Sequence, residues 1–159
     1  MFVDLEDIPR YEKVLGDPSA NIADRVDSLF SLKAFKEPES VDAIIRSFWK
    51  EKNSELLKHE ICYCLGQMNK SPEHNSRIQK FLEQIIDEKA GFEDIVIHEA
   101  FEALGNLGQE GTVAPLKRYL ENSKTCTMVQ ETCFLVDKLL EWNKATDNGK
   151  LEKYDKSRL

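Results

Sequence analysis

Ile95-Val96-Ile97-His98-Glu99-Ala100-Phe101-Glu102-Ala103-Leu104-Gly105, together with Leu56-Leu57-Lys58-His59-Glu60-Ile61-Cys62-Tyr63-Cys64-Leu65-Gly66 upstream, decides the fold. In both stretches apolar residues recur every three or four positions and no proline interrupts them, so both predict helices. Both carry His-Glu at the same point of the pattern, and in both a glycine follows the histidine by seven residues. A helix turns about 100° per residue, so seven residues return to within ~20° of the start. Each histidine therefore shares a helix face with a glycine two turns on. Glycine inside a helix costs roughly 1 kcal/mol against alanine. The same glycine in two helices implies close approach to the backbone. For the glycines alone, a helix end or tight helix packing is the simpler reading; the paired His-Glu adds the prospect of a ligand.

The rest of the chain repeats this pattern. Apolar periodicity predicts a short helix within residues 1–16, broken near Pro9, and an amphipathic helix over Ile22–Lys33. Further helices are predicted over Val41–Lys50 with Ser40 as N-cap, Arg77–Glu88, Thr112–Glu121 and Met128–Trp142. His74 falls in the expected loop Pro72-Glu73-His74-Asn75 and reads as a surface residue. Aligned on their apolar pattern, the inner helices place Arg25, His59, His98 and Gln130 at equivalent positions, at intervals typical of helical-hairpin repeats. The predicted fold class is all-α: a helical-repeat α-solenoid of about four helix pairs, because no single pair can bury its apolar face alone. The repeat domain spans residues 1–143, and residues 144–159 form a polar, loose tail.

Bulk composition agrees with this and removes some functions. The 159 residues suit one domain, and the 32% charged content with only 7 glycines and 5 prolines suits a helical one. A net charge of −7 argues against a nucleic-acid partner, which wants a basic face. The opening is acidic from Asp4, unlike a signal peptide. No apolar run approaches the roughly 20 residues needed to span a bilayer. The expectation is a cytosolic protein with no membrane partner. Cys62, Cys64 and Cys133 fall within apolar helical patterns and read as reduced core thiols, and Cys126 completes the four without a C-x-x-C or zinc spacing.

Equivalent positions of neighbouring repeats sit side by side, at helix spacings of about 8–10 Å. His59 and His98 should thus be neighbours on one wall, as should Glu60 and Glu99. Two imidazoles and two carboxylates with open positions suit a non-haem iron site, with manganese or zinc as alternatives. The plainer reading is a set of polar residues on a solvated concave face; the register match of both pairs and both glycines favours the metal.

These residues resemble a known family. His59-Glu60 through Gly66-Gln67-Met68, and His98-Glu99 through Ala103-Leu104-Gly105, are similar to the paired His-Glu motifs of deoxyhypusine hydroxylase. Leu29-Phe30-Ser31-Leu32, Gln130-Glu131-Thr132-Cys133 and Leu140-Glu141-Trp142 resemble the start and close of that family's first half. The resemblance implies a HEAT-repeat di-iron mono-oxygenase that hydroxylates the deoxyhypusine side chain of a translation factor. It implies His59, His98 and Glu99 as ligands of one iron, and Glu60 as the catalytic residue facing the substrate amine. It also implies room for that side chain beside Gly66 and Gly105, while the charge of Glu60 and Glu102 at the mouth would favour a cationic amine.

The chain departs from the family in three ways. It resembles only the N-terminal half, which supplies ligands for one iron of a dinuclear centre: either two copies rebuild that centre as a homodimer with two irons, or the chain is a fragment of a longer enzyme, or the activity is lost. Phe101 stands where the family tends to be small, and Ile97 where it tends to have arginine. The alternatives are a non-catalytic HEAT-repeat interaction module, a retired hydroxylase half, and a mononuclear metal protein on the same scaffold.

Overall fold

In this computed structural model, residues 4–68, 71–87, 89–108 and 113–147 are described. They form eight helices: α1 (Asp7–Leu15), α2 (Ile22–Ala34), α3 (Pro38–Lys50), α4 (Glu55–Gly66), α5 (Pro72–Ile85), α6 (Asp94–Leu107), α7 (Val113–Glu121) and α8 (Thr127–Asp147). Helices α2, α4, α6 and α8 pack in succession as one layer, and α1, α3 and α5 back them. This is the expected all-α, HEAT-like solenoid of four helix pairs. Its core runs through the interlayer seam and includes Leu29, Leu32, Ile44, Phe48, Leu57, Ile61, Leu65, Ile78 and Leu82, all fully buried. Among the described residues, no helix is long and apolar enough to cross a membrane.

Local chemistry moves several boundaries. Pro9 does not break α1, because it lies in the first turn, where backbone N–H groups have no intrahelical partner. Ser40 is not the cap of α3. That helix starts at Pro38, a ring already set to helical φ, and the Ser40 hydroxyl donates to the Glu37 carbonyl at 2.8 Å. Helix α5 likewise starts at Pro72, five residues before the expected Arg77, because Ser71 caps it by accepting from the His74 N–H at 3.2 Å. His74 is consequently buried in the first turn, its Nδ1 2.6 Å from Ser71 Oγ, and not a surface loop residue. Helix α8 carries on to Asp147, past the expected start of the tail at Lys144. The remainder of that tail, and Thr112, expected to open α7, lie outside the described residues.

The first repeat is out of register with the sequence alignment by one residue. Tyr63, Glu102 and Phe134 are exposed four residues after His59, His98 and Gln130. In α2 the exposed residue is Phe30, so Val26 holds the position equivalent to His59. Arg25 turns inward instead, donating through Nε to the Leu15 carbonyl at 2.9 Å and pairing with Glu51. Glu51 also accepts from the Asn53 and Ser54 backbone N–H groups at 2.6 and 2.9 Å. Burial pushes the Glu51 carboxyl up, but these N–H groups and the guanidinium outweigh it and hold the group below its ordinary value. One ion pair therefore ties the end of α1 to the turn between α3 and α4.

The repeated glycines lie where the inner helices touch. A Cβ on Gly66 would sit 2.7 Å from both Cα and Cβ of Ala103 in α6. A Cβ on Gly105 would sit 2.9 Å from Cγ1 of Val136 in α8. On that side the space is taken by the neighbouring helix, through Ala103 at Gly66 and Val136 at Gly105. Gly66→Ala must push against backbone, whereas Gly105→Ala meets only a side chain. We expect Gly66→Ala to lower stability by about 1–3 kcal/mol, the usual cost of overpacking, and Gly105→Ala by less. Urea unfolding of the two variants checks the order.

Candidate metal centre

The i, i+7 relation places each histidine in the same helix seam as its glycine. His59 and Gly66 face α6, and His98 and Gly105 face α8. The imidazoles of His59 and His98 lie 6.0 Å apart, nearly parallel at 21°. Glu99 stands between them, its Oε2 3.1 Å from His59 Nε2 and 3.8 Å from His98 Nε2. One donor atom each from His59, His98 and Glu99 falls within 4.8 Å of the others, so the three can hold a metal ion. Glu60, on the same motif as His59, stays outside that cluster, with Oε1 3.4 Å from His59 Nδ1.

Side-chain exposure separates the roles these groups can take. Glu99 is buried at 6%, the histidines are about one-fifth exposed at 20% and 21%, and Glu60 and Glu102 are open to solvent at 28% and 47%. Burial, with Glu102 and Glu60 adding repulsion, pushes the Glu99 carboxyl up to about 7. A buried carboxylate beside two others and two imidazoles is a set of lone pairs in want of a cation. His59 Nδ1 adds to this: it is buried and has no hydrogen-bond partner. The donor set, two nitrogens and one carboxylate with open positions, fits a transition metal of the iron, manganese or zinc type.

Phe101 does not narrow this site. It is fully buried and packs edge-on against Tyr119 at 5.0 Å. Three residues of helix carry it about 60° off the His98 face, enough to turn it into the core. Ile97 is buried as well. Sequence reasoning overlooked Thr132, whose Oγ1 lies 2.7 Å from His98 Nδ1. A signal existed: two residues after each register position, α4 and α6 carry the buried apolar Ile61 and Ala100, but α8 carries a threonine.

The raised Glu99 value gives two opposed pH responses. Without metal, the group favours its protonated form more in the folded than in the unfolded chain. Its stabilisation is present below the ordinary carboxylate range near 4.5 and is lost as pH rises through about 7. Metal needs the carboxylate ionised, so zinc affinity should fall as pH drops below about 7. Glu99→Gln should flatten the apo stability profile across this window, as read by thermal melts at several pH values.

No family model matches the chain. The deoxyhypusine hydroxylase of Mus musculus is 36% identical over 137 residues, which are 86% of this chain and 42% of that protein. That of Phaeosphaeria nodorum is 33% identical over 158 residues, 93% of this chain and 46% of that protein. The solved structure of human deoxyhypusine hydroxylase superposes with a TM-score of 0.75 at 31% identity, covering 95% of this chain and 48% of that one. The fold, the paired His-Glu motifs and these likenesses agree: the chain is a relative of the deoxyhypusine hydroxylases, and it spans less than half the length of those it matches.

Proposed function

We propose that the chain is a mono-oxygenase of the deoxyhypusine hydroxylase type, adding a hydroxyl group to the deoxyhypusine side chain of a translation factor in the cytosol, with its centre completed by a second copy of the chain. The observation that carries this reading is the convergence of His59, His98 and Glu99 on one point. Iron bound there would supply the activation of dioxygen that hydroxylation of a C–H bond needs. One oxygen atom ends in the product hydroxyl and the other in water, with two electrons drawn from an external reductant. The chain's own residues divide the remaining work. His59, His98 and Glu99 hold the metal. Glu60 and Glu102, outside the cluster and accessible, attract the cationic amine, and Glu60 orients it. Gly66 and Gly105 act through helix spacing.

Among the described residues there is one cluster of three such ligands, and a second copy of the chain would supply the ligands of a second iron. The open face around the site supports self-association. Leu56 and Ile95, 56% and 38% exposed, stand three residues before each histidine, and Tyr63 and Phe134, 41% and 54% exposed, hold equivalent positions on the far side. A two-fold axis sets the same patch of each copy opposite the other. The apolar border fits a second reading too, a non-catalytic HEAT-repeat module that binds a partner protein.

Native mass spectrometry of aerobically purified protein, read for mass and metal together, separates these. A dimer with two irons that hydroxylates a deoxyhypusine-bearing substrate, and loses both metal and turnover in His59→Ala, is the expected result. A metal-free monomer whose binding to that factor ignores chelators would replace the enzyme reading with the module.

A further inference from the structure

We propose that Thr132 is a positioning residue for His98: its hydroxyl fixes the imidazole in the tautomer that leaves Nε2 unprotonated and free to bind a metal. The inference rests on reading His59, His98 and Glu99 as a metal site, and it concerns a residue on α8, one helix beyond the His-Glu motifs.

The position of one proton decides the tautomer. Thr132 Oγ1 lies 2.8 Å from the Met128 carbonyl oxygen and 2.7 Å from His98 Nδ1. Two oxygens at such a distance repel unless a proton lies between them. A carbonyl has none to give, so the hydroxyl proton points at Met128. Thr132 Oγ1 is then left with lone pairs only on the side facing His98. The short contact to Nδ1 requires that nitrogen to carry the proton. A neutral imidazole has only one N–H, so Nε2 keeps its lone pair, and Nε2 is the nitrogen on the Glu99 side, 3.8 Å from Glu99 Oε2. Glu102 does not compete, because its Oε1 lies 3.8 Å from Nδ1, beyond hydrogen-bonding range.

The two histidines are therefore prepared unequally. His98 is held by a relay from Nδ1–H through Thr132 to the α8 backbone. His59 Nδ1 has no hydrogen bond at all. Thr132 itself is buried. Outer partners of metal-bound histidines act in this way, setting tautomer and ring angle, and losing one costs about 10- to 100-fold in metal affinity.

The test uses the full chain without metal, then zinc as a redox-inert probe. Long-range 1H–15N NMR of the apo protein above the histidine titration range should show His98 as the Nδ1–H tautomer. Thr132→Val, nearly the same shape without an acceptor, should shift His98 toward the Nε2–H form, and Thr132→Ser should restore it. Zinc affinity, by competition with a chromophoric chelator, should fall about 10- to 100-fold in Thr132→Val and return in Thr132→Ser. Should the valine variant fail to fold, Thr132→Ala makes the same deletion without overfilling the seam. An unchanged His98 tautomer in the variant lacking the hydroxyl overturns the proposal. If wild-type protein takes up no zinc while the tautomer still shifts, the metal-site reading fails and the hold of Thr132 on His98 stands.

Discussion

The seam between α4 and α6 is closed by Gly66 lying directly on Ala103, and the distance set there governs everything built above it. Helix axes usually stand 8–10 Å apart, the lower end being reached only where small residues meet. Without a side chain at Gly66, α4 settles against the α6 backbone near Ala103. That approach brings the His59 ring over to α6, within 3.1 Å of Glu99 and nearly parallel to His98. A larger residue at Gly66 would act as a wedge two turns below the histidine. The repeated glycine and the repeated histidine are thus one device: the first sets a spacing that the second uses.

Two glutamates show what this architecture does with buried charge. Glu51 and Glu99 are both almost inaccessible, at 4%. Glu51 has a guanidinium and two backbone N–H groups, and its carboxyl is held down. Glu99 has other carboxylates and imidazoles, and its carboxyl is pushed up to about 7. Burial works against ionisation in both cases, and the partners decide the outcome. The first is a finished structural joint. The second is an arrangement that the protein alone leaves electrostatically unsatisfied, which is the character of a site meant for a cation.

Much of this was legible from spacing. The period of the apolar residues gave helices, their self-similarity gave the stacked pairs, and the shared register of His59 with His98 gave their proximity. What escaped reading depended on contacts that periodicity does not encode. Ser71 and Pro72 began α5 early because capping and a preset φ outweigh the weak pattern of the next few residues. Arg25 matched the register of His59 in the string of letters, but its buried pairing with Glu51, distant in sequence, moved that register by one. Phe101 follows His98 by only three residues, yet about sixty degrees of rotation about a helix separates a pocket wall from a core. The relay through Thr132 crosses between repeats, so only the packed seam shows it.

The phase lock between each histidine and its glycine also bears on how such a chain can change in length. One residue added between His59 and Gly66 would turn one about 100° away from the other, taking either the ligand or the seam out of place. Within these helices, then, the interval behaves as a fixed constant that admits exchange of residues but no insertion or deletion. The connections between helices carry no such constraint. Divergence in length is channelled into the turns, and two relatives can differ widely there while the count from histidine to glycine stays the same.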